Sequence, residues 1–272
     1  MSKGFKLLRV EYIFSVLIPC LLCIYLNEDY NLESHIWILA GFAFYAITGN
    51  TLNDVIDMKD PNEKETLERV KGYSRKEISV LAIASFLLGT MCFMKRILTI
   101  PILGVYLTFI VCMVVFYCIF KSLVIINHII LGVSHIILPY FMIKIDGGDI
   151  FMNIFPEMEL FESLILAAIT AVAFTGQMVH EMIDGDSLAK LKPRTSQLVI
   201  WIACIISLSI AVISFIITTY LIFLPILFFP LGIMYIFRKP RTDLLGRTQL
   251  KDIGIILGNL MFAYMIILVI AP

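Results

Sequence analysis

The chain has 272 residues, of which 60% are hydrophobic, and its mean hydropathy is +0.95. A water-soluble domain of this length has too little interior to bury so much apolar surface. The 21 basic and 21 acidic residues cancel, so the chain lacks the basic excess of a nucleic-acid-binding protein. The composition therefore predicts an integral protein of the cell membrane. Its expected partner is the lipid bilayer, and nucleic acid is not an expected partner.

Apolar stretches of about twenty residues are typical of membrane-spanning helices. Nine such stretches follow one another, at about 10–26, 36–56, 78–95, 99–120, 123–143, 161–182, 197–218, 220–237 and 252–270. The segments between them are short. The sequence predicts an all-α fold, a polytopic bundle of nine transmembrane helices that forms a single domain over 1–272.

The positions of the basic residues predict the orientation of the bundle. A cytoplasmic N-terminus places five segments, which hold 18 of the 21 basic residues, on the cytoplasmic side. These segments are 1–9, 57–77, 121–122, 183–196 and 238–251. Since cytoplasmic loops are enriched in Lys and Arg, we predict that the N-terminus is cytoplasmic.

The chain also has a two-part plan. The second and the sixth predicted spans each run into an acidic segment, and both segments emerge on the cytoplasmic face. A parallel internal duplication produces this arrangement. We predict two related halves, about 1–122 and 123–251, followed by a last helix at 252–270.

The first acidic motif, GNTLNDVIDMKD, ends the second span. Asn50, Asn53, Asp54 and Asp57 are three or four residues apart and therefore share one helical face, and Asp60 follows them. Carboxylates on one face repel each other unless a cation lies between them, and oxygen ligands suit Mg²⁺. A solvated helix end is the alternative, but it leaves the two asparagines within an apolar helix unexplained, because polar groups there are costly.

The second motif, GQMVHEMIDGD, ends the sixth span. Gln177, His180, Glu181 and Asp184 share a face, and Asp186 follows. A zinc helix requires HExxH, and no second histidine follows His180 here. Two acidic clusters on one membrane face fit better as halves of one site, in which Mg²⁺ ions bridge the carboxylates to a diphosphate.

Several cations lie where they could meet a departing diphosphate. Tyr117 and Lys121 are four residues apart at the cytoplasmic end of the fourth span and are predicted to face inward together. The cytoplasmic loops contribute Arg69, Lys71, Arg75, Lys192 and Arg194. Taken singly, each of these lysines and arginines also fits simple positive-inside anchoring. His128 and His135, on the fifth span, are predicted to form interhelical hydrogen bonds.

These motifs resemble those of the UbiA superfamily of intramembrane prenyltransferases over nearly the full length of the chain. That family has nine helices and two aspartate-rich motifs, which follow its second and sixth helices. Its N-D-x-x-D-x-x-x-D motif is similar to the run at Asn53, Asp54 and Asp57. Its Y-x-x-x-K motif is similar to the pair Tyr117 and Lys121, and GYSRKE at 72–77 is similar to the end of its first cytoplasmic loop.

The chain also departs from the family's pattern. The last aspartate of the first motif falls at Pro61, and Asp60 lies one residue early. In the second motif Met182 stands where the family has an acid. LERVKG replaces the family's R-P-L-x-S-G loop, so several residues of this loop are candidates for its arginine. Asp186, Lys192 and Thr195 are similar to its D-x-x-x-G-x-K-T run.

The resemblance implies that two Mg²⁺ ions bind the diphosphate of an allylic isoprenoid on the cytoplasmic side. The implied metal ligands are Asn53, Asp54, Asp57, Asp60, Glu181, Asp184 and Asp186. The implied catalytic residues are Asp57, Asp184, Tyr117 and Lys121. The diphosphate is expected to contact Asn50, Lys121, Arg69, Lys192 and Arg194. Loss of diphosphate gives an allylic cation, which a lipophilic aromatic or hydroxyl acceptor attacks.

Two other functions fit the same residues. In an intramembrane terpene cyclase, the double bonds of the substrate capture the allylic cation. In a cation transporter or cation-binding protein, the carboxylate clusters bind ions that cross the membrane. The transporter hypothesis leaves the lysines and arginines beside both motifs without a role.

Overall fold

The structure is a computed structural model that describes residues 5–28, 32–59, 61, 64–119, 124–148, 150–151, 154–184, 187–240 and 247–271. Twelve α-helices account for most of these residues. They are α1 (Phe5–Leu8), α2 (Phe14–Leu26), α3 (Leu32–Asp57), α4 (Lys64–Arg69), α5 (Arg75–Thr99), α6 (Ile102–Ile119), α7 (Val124–Gly132), α8 (Leu138–Asp146), α9 (Leu160–Asp184), α10 (Pro193–Thr218), α11 (Phe228–Ile236) and α12 (Arg247–Ile270). The predicted all-α class is confirmed.

Short irregular elements interrupt or join these helices. Three 3₁₀ segments lie at Val10–Tyr12, Ser187–Lys190 and Leu221–Leu227, and a π-helical turn at Val133–Ile137 separates α7 from α8. Two-residue strands, β1 (Ile150–Phe151) and β2 (Phe155–Pro156), pair antiparallel after α8. This hairpin was not predicted from the sequence.

Seven helical segments are long and apolar enough to cross a membrane. They coincide with seven of the predicted spans and run over Lys6–Leu26, Arg75–Thr99, Ile102–Ile119, Ile126–Asp146, Leu160–Ile183, Pro193–Thr218 and Lys251–Ile270. The other two predicted spans are also helical. Helix α3 carries the polar residues of the first motif, and Leu221–Ile236 is a shorter apolar helix. The count of nine spans and the cytoplasmic N-terminus stay predictions.

The chain forms two compact units. The first unit comprises Met1–Lys121, Val133–Glu157 and Gly258–Pro272, and the second comprises Ser122–Gly132 and Met158–Leu257. In each unit, the helix that ends in an acidic motif packs along the next long helix: α3 along α5, and α9 along α10. The predicted duplication concerns ancestry, which the division into compact units leaves untested.

Small residues allow α3 and α5 to approach closely. A Cβ atom at Gly89 would lie 2.4 Å from the Tyr45 ring and 3.1 Å from the backbone oxygen of Gly41. The Tyr45 hydroxyl hydrogen-bonds with Thr90 at 2.9 Å, and its ring packs edge-on against Phe93. Glycine at a helix crossing allows such close contact between membrane helices.

We therefore expect Gly89→Val to separate α3 from α5 and to destabilise the protein by about 1–3 kcal/mol, the usual cost of overpacking. Thermal unfolding in detergent, followed by size-exclusion chromatography, measures the effect. Gly254→Ala is the matched control, since a Cβ atom there meets nothing within 4 Å. Equal stability of the two variants would contradict a tight crossing at Gly89.

A buried ionic cluster joins α3, α5 and α8 in the first unit. The Asp146 carboxylate accepts a hydrogen bond from Arg96, whose second nitrogen lies 3.2 Å from the Asp146 backbone oxygen. The ring of His35 lies 3.7 Å from the other carboxylate oxygen, and its side chain is almost fully buried. Nearby in sequence, Lys144 donates to Asn27 at 2.9 Å. The cluster fixes the start of α3.

Asp146→Ala should lower the unfolding temperature by several degrees. Removing one partner of a buried ion pair leaves the other charge without compensation, at a cost of about 3 kcal/mol or more. Lys95→Ala is the control, because Lys95 is exposed beside Arg96 and exposed charges contribute little. If both variants unfold at the temperature of the natural protein, the cluster has no stabilising role.

The second unit packs α9, α10 and α11 around an apolar core. Its buried residues include Met182, Ile200, Cys204 and Ile233. The backbone oxygen of Phe237, at the end of α11, accepts hydrogen bonds from Gln197 at 2.8 Å and from Trp201 at 3.0 Å. This core holds the end of α9, which carries the second motif.

Candidate functional site

The first motif lies at the C-terminal end of α3, and the following loop folds back onto it. Gly72, with φ +96°, makes the turn that leads into α5. Ser74 then caps α5: its hydroxyl accepts from the Glu77 backbone, and the Glu77 carboxylate accepts from the Ser74 backbone at 2.6 Å. This capping box fixes the start of the helix.

Apolar packing and one further hydrogen bond hold the loop against α3. Leu7, Val55, Val70 and Ile78 form a small buried cluster that joins α1, α3, the end of α4 and α5. The side chain of Arg75 donates to the Val55 backbone oxygen at 3.1 Å, which satisfies a carbonyl in the last turn of α3. The end of α3 therefore has a defined environment.

Asn53 and Asp57 form one half of the motif. The Asn53 amide donates to an Asp57 carboxylate oxygen at 2.8 Å, one helical turn away, and Asp57 is 7% exposed. The Asn53 side-chain oxygen is buried and has no hydrogen-bond partner among the described residues. A buried acceptor without a donor is costly unless a ligand fills the gap. The pair therefore fits a hard cation such as Mg²⁺.

Asp54, in the same motif, contacts positively charged side chains of the protein. Arg69 donates to both Asp54 oxygens, at 2.6 and 3.1 Å, and also to the Thr66 hydroxyl at 3.1 Å. A second guanidinium, that of Arg9, lies 3.7 Å from the same carboxylate. Asp54 is fully buried. Its oxygens serve as acceptors for arginine here, although the sequence analysis assigned Asp54 to a metal and Arg69 to the substrate.

Arg9 is a residue of this cluster that the sequence analysis missed. It precedes the first span, where a lone arginine is indistinguishable from a positive-inside anchor. In the structure Arg9 is 8% exposed, and its backbone oxygen accepts from Asn50 at 3.4 Å. No local pattern could have indicated these contacts, because Asn50 and Asp54 are more than forty residues away along the chain.

The second motif lies at the C-terminal end of α9. The Glu181 side chain is largely buried, and one of its oxygens lies 4.0 Å from the Nε2 atom of His128 on α7. This distance is too long for a hydrogen bond between these two atoms, and the interhelical hydrogen bond expected of His128 stays a prediction. The ring of His128 also contacts Phe174. The side-chain oxygen of Gln177 is buried and has no hydrogen-bond partner among the described residues, as at Asn53.

The loop after the second motif exposes its cations. Lys192 and Arg194 both lie on the surface, on either side of the first residue of α10. The Ser196 hydroxyl donates to the Leu188 backbone oxygen at 2.7 Å, which closes the preceding turn. Exposed cations in a fixed loop can contact an anionic ligand at the surface, as the sequence analysis predicts for both residues.

Some of the remaining site residues fall outside the described part of the chain. Tyr117 is half-buried near the end of α6. Lys121, Asp60, Asp186 and the side chain of Asp184 lie outside the described residues. Within the described residues, no three His, Cys, Asp or Glu side chains lie close enough together to hold a metal ion.

Residues 16–247 match the UbiA prenyltransferase family. The chain therefore belongs to the UbiA prenyltransferase family, as its motifs indicate, and is an integral membrane protein. No curated protein shows significant sequence similarity to it.

Solved structures share the fold over the whole chain. A UbiA homolog from Archaeoglobus fulgidus bound to DMAPP and Mg²⁺ superimposes with a TM-score of 0.70 at 16% identity, covering 100% of both chains. The same homolog bound to GPP and Mg²⁺ gives 0.69 at 16% identity, covering 98% of this chain and 99% of that one. A structure described for digeranylgeranylglyceryl phosphate synthase in membranes gives 0.62 at 12% identity, again over 100% of both.

Proposed function

We propose that this protein is an intramembrane enzyme that transfers an isoprenyl group from an allylic prenyl diphosphate to an acceptor and releases diphosphate, with Mg²⁺ as its cofactor. Membership of the UbiA prenyltransferase family supports the reaction class. The A. fulgidus homolog binds GPP or DMAPP together with Mg²⁺. The observation that carries the proposal is the Asn53–Asp57 pair, in which a buried amide oxygen that has no donor among the described residues adjoins a buried carboxylate.

Asn53 and Asp57 are the described residues of the first motif that are best suited to bind a metal ion. Both offer oxygen atoms, which Mg²⁺ prefers, and their mutual hydrogen bond sets the orientation of the amide. We assign the same role in the second motif to Glu181, Asp184 and Asp186, and to Asp60 after the first motif. When bound there, Mg²⁺ would neutralise the diphosphate and favour its departure.

The residues of the chain position the diphosphate and stabilise its departure. Arg69, fixed by Asp54, presents a guanidinium beside the first motif, and guanidinium groups match phosphate oxygens in geometry. We assign Tyr117 and Lys121 to the charge that develops on the leaving diphosphate, and Asn50, Lys192 and Arg194 to contacts with the bound diphosphate. The C1–O bond of the prenyl group then breaks, and both of its electrons leave with the diphosphate.

The allylic cation must survive until the acceptor attacks it. Apolar helices around the prenyl chain exclude water, which would otherwise capture the cation. A nucleophilic carbon or hydroxyl oxygen of a lipophilic or aromatic acceptor then forms the new bond and loses a proton. We propose that the site faces the cytoplasm, where the sequence analysis places both motifs.

The direct test is Mg²⁺-dependent release of pyrophosphate from geranyl, farnesyl and geranylgeranyl diphosphate by the purified protein in detergent. We expect release to require Mg²⁺ and an acceptor from a mixed panel. Asp57→Asn should lower the rate at least about a hundredfold, the scale on which loss of a preorganised charge acts in catalysis. Asp252→Asn is the matched control, since Asp252 is exposed in α12 outside both motifs.

Three results would count against this assignment. Equal rates of pyrophosphate release for Asp57→Asn and Asp252→Asn would show that Asp57 of the first motif has no role in the reaction. Release without any acceptor, accompanied by cyclic hydrocarbon products, would make the protein a terpene cyclase. Absence of release from folded protein that still binds Mg²⁺ would favour ion binding or transport.

A further inference from the structure

We propose that Arg9 is a positioning residue of this site: it shares the Asp54 carboxylate with Arg69 and so fixes the guanidinium of Arg69 for the substrate diphosphate. The inference rests on the proposed function, because it concerns binding of the same diphosphate. It also assigns Asp54 a role as counter-ion to two arginines, in place of the metal-ligand role that the sequence suggested.

The contacts of Asp54 leave little room for another role. Its carboxylate is fully buried and accepts two hydrogen bonds from the Arg69 fork, at 2.6 and 3.1 Å. Bidentate pairs of this kind are among the strongest charge-assisted hydrogen bonds in proteins. Arg69 also donates to the Thr66 hydroxyl, one turn earlier in α4. The orientation of Arg69 is therefore set by Asp54 and α4 together.

Arg9 approaches Asp54 from the N-terminal segment. One of its terminal nitrogens lies 3.7 Å from the Asp54 oxygen that also accepts the shorter Arg69 bond. The Arg9 guanidinium lies over the ring of Tyr12, 4.5 Å from its centre. Its Nε atom is buried and has no hydrogen-bond partner among the described residues. A buried guanidinium with an unsatisfied donor is costly, so a functional reason for its position is expected.

The backbone of Arg9 is also held in an unusual conformation. Its φ of 48° lies in the left-handed region, which residues other than glycine seldom adopt. The hydrogen bond from Asn50 to its backbone oxygen and the packing of Leu7 against Val55 hold it there. Such strain persists only where the surroundings fix the residue, and it is concentrated at functional sites.

The net charge of the trio Arg9, Asp54 and Arg69 favours binding of an anionic substrate. Arg9 and Arg69 carry two positive charges against the single negative charge of Asp54. The trio therefore has one net positive charge beside the predicted metal ligand Asn53, where an anionic substrate is expected. Because Arg69 is held in place before the diphosphate binds, less conformational entropy is lost on binding.

The experiment compares Arg9→Met and Arg9→Lys in the full-length protein in detergent, with Lys6→Met as the matched control. Lys6 is an exposed basic residue of the same segment. The KM for the prenyl diphosphate, kcat, the Mg²⁺ concentration for half-maximal rate and the unfolding temperature are measured for each variant. Arg9→Met should raise the KM about tenfold, which corresponds to about 1.4 kcal/mol of lost interaction. Arg9→Lys should recover part of that loss, because lysine keeps the charge without the fork.

Arg9→Met should change the half-maximal Mg²⁺ concentration by no more than about twofold, since Arg9 acts through Arg69 on the diphosphate and not on the metal. Lys6→Met should change neither quantity. A KM for Arg9→Met that matches the natural protein would overturn the inference. A merely structural role would show itself as a lower unfolding temperature and a smaller active fraction with unchanged KM, and that outcome also overturns it.

Asp54→Asn tests whether Arg9 acts through Asp54. If it does, Arg9→Met adds no more than about twofold to the KM of the Asp54→Asn variant, because residues in one network are not additive. If the effects of Arg9→Met and Asp54→Asn on the KM multiply in the double variant, Arg9 does not act through Asp54. A tenfold higher Mg²⁺ requirement in Asp54→Asn alone would restore Asp54 as a metal ligand. If the natural protein releases no diphosphate, the proposed function fails and this inference fails with it.

Discussion

The cost of burying charge among apolar helices governs the structure of the first unit. Helix α3 has a buried charged cluster near each end, at His35 and at Asp54. At a rise of 1.5 Å per residue, these two residues are about 28 Å apart along the helix. At one end Arg96 compensates Asp146, whose carboxylate also lies beside the ring of His35, and at the other Arg9 and Arg69 compensate Asp54. The second cluster lies within the first acidic motif, so the pairing that stabilises α3 also orders this part of the candidate site.

The two aspartates of the first motif, Asp54 and Asp57, have different partners. Asp54 and Asp57 are one turn apart on the same helix, and both are buried. Asp54 has a bidentate arginine as its partner, and Asp57 accepts a hydrogen bond from the amide of Asn53. The environment of each residue separates two aspartates that the sequence treats alike.

Sequence patterns predicted the helices well, because apolar runs of bilayer length are long signals that depend only on local composition. They also located the ends of α3 and α9, where acidic residues three or four apart interrupt such runs. They could not predict the π-helical turn at Val133–Ile137 or the contact of Arg9 with Asp54. The first depends on packing, and the second joins residues far apart along the chain. The capping box at Ser74 and Glu77, by contrast, lies within the quoted GYSRKE run and was available to local reasoning.

We propose that carboxylates of both motifs bind Mg²⁺ that contacts the prenyl diphosphate. The most direct test replaces Mg²⁺ by Mn²⁺ and measures the ³¹P hyperfine coupling from bound geranyl S-thiolodiphosphate by electron–nuclear double resonance. The account predicts a coupling in the natural protein that is lost in Asp57→Asn and in Glu181→Gln. A coupling that persists unchanged in both variants would contradict it.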